Sequence, residues 1–329
     1  EAYHQYGRTG FYMRFVNQVA AELAKDYPDI LVDTLAYHWT RQPPENIRMH
    51  KNVVVRYCTG GGICIYHPLD KCSFNTSKDP QARTRGGGEV YSDLVEWIRI
   101  SPRVWVWYYA HGGDKMHPLP IFRSLSQNFK LMRDAGVQGF FIQIDWGTEQ
   151  IRSGGLLDLQ SYLFAKLIWD PDYDVQIGIE EFCKASYGAA ASYILSFVEL
   201  VSDAGTYTGT PLVHYKDLDL TKFPGFHCPG GAMVPVRKDK LDEMDKLFEE
   251  AERSVANDLD SLERVKPVRL AAYYAILLYA DKEDPLREKA IREFFPRAKQ
   301  YGISKLRLPI NRREVTMDEF RKDFLGLER

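Results

Sequence analysis

Gly136-Val-Gln-Gly-Phe-Phe-Ile-Gln-Ile-Asp-Trp146 is the stretch whose reading decides the fold. A segment of helical character, Phe122 to Ala135, runs into Gly136, and a short apolar run then ends in polar and aromatic groups. A buried parallel strand whose C-terminal end opens onto a pocket has this pattern. Side chains alternate along a strand, so Phe141, Gln143 and Asp145 share one face, and Phe140, Ile142 and Ile144 the other. Asp145 and Trp146 then stand just past the strand end, where α/β sheets and barrels keep their chemistry. A buried strand followed by a turn that Asp145 caps accounts for the same residues, because Asp favours turns. The functional reading gains weight only if other strands end alike.

Upstream, three further runs read as strands: Ile30 to Tyr37, Asn52 to Tyr57 and Arg103 to Tyr109. Between them lie helical patterns. Phe15, Val19 and Leu23 recur at helical spacing from Phe11 onward, with Val16 and Ala20 beside them, and Glu89 to Ile100 turns Val90, Leu94, Trp97 and Ile98 inward. Tyr3 to Thr9 reads as a polar loop, and residues 78–88, ending in Gly86-Gly87-Gly88, as a surface excursion. Strand and helix alternate four times, which predicts parallel β/α units over residues 1–170. Four units are half of an eight-fold barrel, and periodicity leaves an open sheet and a barrel half both standing. Residues 171–329 read as mainly helical, with an irregular segment at 205–236 that contains His214, His227 and Cys228. The helices are expected at 156–169, 175–187, 189–201, 238–257, 262–279 and 285–301.

With 329 residues, 45% hydrophobic and 27% charged, the chain has the composition of a globular protein. A net charge of −2 gives no reason to expect nucleic acid or an anionic membrane as partner. No apolar run approaches the roughly 20 residues that span a bilayer. The chain begins at Glu1 without Met or a signal peptide and reads as trimmed or processed, which leaves export open. The 5 cysteines are too few for a disulfide scaffold. Cys64 and Cys72 read as free thiols or as one bridge, and the spacing around His67 is not a zinc signature, so no metal and no cofactor is expected. Asn75-Thr-Ser77 is a formal glycosylation sequon. Neither triple-glycine run opens a helix with the Lys-Ser/Thr of a phosphate loop, and no Gly-x-Ser-x-Gly elbow occurs.

The other strands do end alike. They supply Tyr37, His38 and Trp39, then the loop with His67, then Trp107, Tyr109 and His111, then Gln143, Asp145 and Trp146. Aromatic rings stack on the C–H faces of pyranose rings while Asp, Gln and His bond the hydroxyls, so this set suits a sugar. Each aromatic taken alone reads as core.

The order of Phe15-Val-Asn-Gln-Val-Ala20, Thr34-Leu-Ala-Tyr37, Pro43-Pro44, Asn52-Val-Val-Val55, His67-Pro68, Gly136-Val-Gln-Gly139, Ala165-Lys-Leu-Ile-Trp-Asp-Pro171 and Leu247-Phe-Glu-Glu-Ala251 resembles a known family. It is the bacterial domain family grouped with glycoside hydrolase family 163, TIM-barrel enzymes similar to β-hexosaminidases. The resemblance implies an α/β fold, the C-terminal half of a TIM (β/α)8-type barrel followed by an α-helical domain. It also implies an endo-β-N-acetylglucosaminidase acting on N-glycans by a substrate-assisted retaining mechanism, and export to the periplasm or cell surface. An upstream barrel half or a partner chain would cover the open sheet edges. The family's last strand carries Glu where Ile142 stands, and its third strand Asp where Tyr108 stands. Asp145 is then the leading catalytic candidate, and Asp158 falls on an acidic position of the family at the start of the next helix. The rival expectations are a non-catalytic glycan-binding protein on a degenerate barrel, and a subunit of a larger assembly.

Overall fold

The computed structural model describes residues 2–59, 68–71, 90–110, 116, 121–144, 156–205, 238–307 and 314–326. The chain divides into two compact units. One holds Glu1–Ala110, Ser124–Gln143 and Ile168–Asp172; the other holds His111–Arg123, Ile144–Leu167 and Tyr173–Arg329.

The first unit is a parallel sheet with helices. In chain order it contains α1 (Ala2–Asp26), β1 (Val32–Ala36), β2 (Val53–Cys58), α2 (Val90–Ile100), β3 (Val104–Tyr109), α3 (Phe122–Ala135, from Ser124 onward) and β4 (Gly139–Gln143). The strands lie side by side in the order β1-β2-β3-β4, every pair parallel. Helices α2 and α3 pack on the same face of this sheet. The Tyr57 hydroxyl donates to the Val90 carbonyl of α2 at 2.8 Å, and Phe129 of α3 lies 5.7 Å from Tyr108 and 5.0 Å from Phe140. Tyr57, Tyr108 and Phe140 share that face by strand alternation.

The glycines of the opening stretch have separate reasons. Gly136 has φ 108, a left-handed conformation that ends α3 while Val137 N–H donates to the Met132 carbonyl at 3.0 Å. Gly139 leaves room for a ring, since a Cβ there would lie 3.0 Å from the Trp105 indole.

Between β1 and β2 lies only a one-turn 3-10 helix, His38–Thr40, so the expected alternation of strand and helix is broken there; side chains pin that connection instead. The Trp97 indole donates to the Arg41 carbonyl at 2.7 Å, and Arg41 pairs with Asp93 at 3.6 Å. Asn17 of α1 donates to the Arg48 carbonyl at 2.9 Å and accepts from His50 N–H at 2.8 Å. Asn52 donates to the Pro28 and Ile30 carbonyls at 2.7 and 3.0 Å.

One expectation changes at α1. Helix begins at Ala2 rather than after a loop over Tyr3 to Thr9, with one break at Gly7 (φ 66, ψ 179), which the lone glycine hides from a composition reading. The helix also packs through Met13, Val16 and Ala20, while Phe15, Val19 and Leu23 face solvent.

The second unit is helical: α4 (Leu157–Trp169, up to Leu167), α5 (Val175–Tyr187), α6 (Ala191–Gly205), α7 (Leu241–Ser254), α8 (Leu259–Tyr279) and α9 (Pro285–Gln300). Helix starts follow capping chemistry. Asp174 accepts from Gln176 and Ile177 N–H at 2.8 and 3.2 Å, and Asp284 precedes Pro285 and accepts from Leu286 N–H at 2.9 Å. Helix α8 is buried nearly all round from Val268 to Leu277, as a central helix must be. Its Arg269 reaches Asp245 at 2.9 Å and Glu252 at 2.7 Å on α7, and Lys289 and Arg297 of α9 close on the same carboxylates. A short antiparallel hairpin, β5 (Lys305–Arg307) with β6 (Glu314–Thr316), follows. It leads to Phe320, whose ring packs 5.7 Å from Tyr274. The hairpin was not expected from the sequence, because three-residue strands carry too little alternation to register.

Candidate functional site

One face of the sheet packs on helices; the other carries the candidate site. Registers place Leu35, Arg56, Trp105 and Gly139 in one row across the four strands. Cys58, Trp107 and Phe141 form the next row, and Tyr109 with Gln143 the last, at the C-terminal ends. Parallel sheets bind ligands at that end.

The strand-end groups form one connected set. The Trp107 indole N–H donates to Gln143 Oε1 at 2.8 Å, which leaves the amide NH2 to donate elsewhere. The Trp107 ring lies 4.4 Å from Phe141 and 6.2 Å from Tyr109, and Tyr109 lies 6.4 Å from Tyr37. The Tyr109 hydroxyl is hydrogen-bonded to the Tyr37 hydroxyl and to the Cys58 thiol. Burial first, and neighbouring Cys58 and Tyr37 second, hold the Tyr109 phenol well above its ordinary range, so it stays a proton donor at physiological pH. Burial pushes the Cys58 thiol up to about 12, against a smaller opposing effect of the Tyr109 hydrogen bond.

Tyr37, Trp107, Tyr109 and Gln143 are thus brought together at the strand ends. His38 follows β1 with φ 50, a left-handed conformation uncommon outside glycine, and its ring lies 3.9 Å from that of Tyr37. Trp39 turns to α1: Arg8 stacks over its ring at 4.5 Å and Tyr12 packs edge-on at 5.6 Å. His67, His111, Asp145 and Trp146 lie outside the described residues, as do Cys64, Cys72 and the sequon. Asp158 belongs to the helical unit, in the first turn of α4. The residue is exposed, yet desolvation around its carboxyl raises the pKa, and it stands close enough to Tyr187 to help raise that phenol.

Sequence reasoning missed Cys58 and a charged row below the strand ends. Arg56 pairs with Asp33, and its guanidinium lies 5.7 Å over the Trp105 ring. Counting back two residues from Cys58 and Trp107 would have found Arg56 and Trp105, because alternate residues share a face. The two positions at which the sequence resemblance implies an acid are neighbours in the sheet. Tyr108 pairs with Ile142 on the helix-facing side, where Tyr108 is fully buried. Among the described residues, no group of three His, Cys, Asp or Glu side chains is placed to hold a metal ion.

No curated protein and no solved structure matches the chain. A family model does, over residues 1–199, more than half of the length. The chain belongs to the family described as a domain of unknown function, DUF4838.

Proposed function

We propose that the strand-end face takes a carbohydrate, and that the chain is a glycoside hydrolase of endo-β-N-acetylglucosaminidase type acting on N-acetylglucosamine-containing glycans. One observation carries the reading: Tyr37, Trp107 and Tyr109 converge with an amide, Gln143, already held by the Trp107 indole. Rings meet the apolar face of a pyranose, while the free amide NH2 and the neutral phenol address its hydroxyls or an acetamido oxygen.

In a substrate-assisted mechanism the 2-acetamido oxygen attacks the anomeric carbon. One carboxylate orients that group, and a second, protonated carboxyl gives its proton to the leaving oxygen. Asp145 supplies one of these by its sequence position just past β4; the chemistry assigns the other to a group beyond the described face. The finer fold belongs to the same proposal. The order β1-β2-β3-β4 suits the C-terminal half of a (β/α)8 barrel, with further strands from an upstream half or a partner chain on its free edges. An exported enzyme would meet such glycans outside the cell.

Digestion of a complex N-glycan, read by mass spectrometry, tests the activity. The wild-type chain is expected to release a fragment cut beside N-acetylglucosamine, and Asp145→Asn to release none. Unchanged turnover in the variant would remove Asp145 from the mechanism. A second reading, a glycan-binding protein without hydrolysis, is favoured by one feature: among the described residues of this face the only carboxylate is Asp33, and Arg56 holds it. Binding without any cleavage would select it.

A further inference from the structure

Helix α1 is apolar on two faces. Met13, Val16 and Ala20 are buried, whereas Phe11, Phe15, Val19 and Leu23 follow at four-residue steps in solvent, with Phe15 60% exposed. A helix at a protein surface ordinarily has one apolar stripe and packs it. Residues in four-residue steps form the ridge that fits the groove of another helix.

We propose that this face docks on the same face of a second copy of the chain, the two α1 helices antiparallel about a two-fold axis at the level of Asn17. Charge and size both point to a copy rather than to an unrelated partner. Exposed Arg8 ends the stripe on its N-terminal side, and exposed Asp26 ends it on the C-terminal side. Antiparallel pairing about Asn17 sets Arg8 opposite Asp26, Phe11 opposite Leu23 and Phe15 opposite Val19. Each charge meets its opposite, and each aromatic ring meets a smaller aliphatic group. A two-fold interface must be self-complementary, and this stripe is. A parallel pairing would set Arg8 on Arg8 and Asp26 on Asp26. The Arg8 end is also held in place, stacked on Trp39 at 4.5 Å. The interface uses none of the groups at Tyr37, Trp107, Tyr109 and Gln143, so it stands apart from the carbohydrate reading.

Sedimentation velocity of the 329-residue chain in reducing buffer, over a range of concentrations, tests it. The expected mass is that of two chains. Phe15→Asp is expected to give single chains with an unchanged circular dichroism spectrum and urea midpoint. Arg8→Glu and Asp26→Arg should each weaken the dimer at least about tenfold, through like charges brought together. Combining the two in one chain reverses both ends and should restore it. A monomer at every concentration would overturn the proposal and give this face to another segment or partner. A dimer indifferent to Phe15→Asp would overturn it too, and failure of the double variant to restore association would reject the antiparallel pairing.

Discussion

At the scale of residues, the thiol of Cys58 gives a pH signature of the strand-end cluster. Burial lifts it to about 12, while in the unfolded chain it titrates in the ordinary thiol range. Between those values the unfolded chain loses a proton that the folded chain keeps. The stabilisation is therefore full below the ordinary thiol pKa and is lost as pH rises towards 12. Urea titrations from pH 8 to 10.5 are expected to show stability of the wild type falling more steeply than that of Cys58→Ala, by up to about 1.4 kcal/mol per pH unit. Parallel curves would show that Cys58 is not held in this way. The sequence marks Tyr37, Trp107, Tyr109 and Gln143 because each lies at the end of an apolar run. It hides Cys58, which looks like one more cysteine in a glycine-rich stretch. Trp39, another strand-end aromatic, carries Arg8 and Tyr12 on its ring and still keeps 46% of its surface exposed.

At the scale of elements, β4 depends on a missing side chain. A Cβ at Gly139 would meet the Trp105 ring at 3.0 Å, and the Arg56 guanidinium lies 5.7 Å over that ring. Gly139→Ala is expected to cost about 1–3 kcal/mol of stability by overpacking, read as a lowered urea midpoint. A neutral result would mean that the Trp105 ring moves freely aside. The alternation of strand and helix was legible because buried parallel strands are short apolar runs bounded by turns. The orientation of α1 was not legible. Periodicity shows that Phe15, Val19 and Leu23 share a face, but a helix with two apolar faces gives no sign of which one the sheet takes. Asn17 and Asn52 could not be told from surface polar residues, because their partners are backbone carbonyls and amides far along the chain.

At the scale of the whole molecule, the helical unit is centred on an ionic cluster and the sheet unit on its open face. Arg269 is 4% exposed and serves two carboxylates, Asp245 and Glu252. Arg269→Met removes the cation and leaves those carboxylates with fewer partners, so a loss of about 3–5 kcal/mol in urea unfolding is expected. A loss under about 1 kcal/mol would mean that Lys289 and Arg297 suffice. Which helices gather around Arg269 was beyond a sequence reading, because charges on three separate helices look like solvated faces until the helices pack. For the sheet unit the proposal to test is that its strand ends bind a glycan. The most direct test is titration calorimetry of an N-acetylglucosamine-containing N-glycan into the Asp145→Asn chain, with and without Trp107→Ala. Binding that weakens at least about tenfold in Trp107→Ala, at an unchanged melting temperature, is the predicted result. Absence of binding, or binding that ignores Trp107, would contradict it.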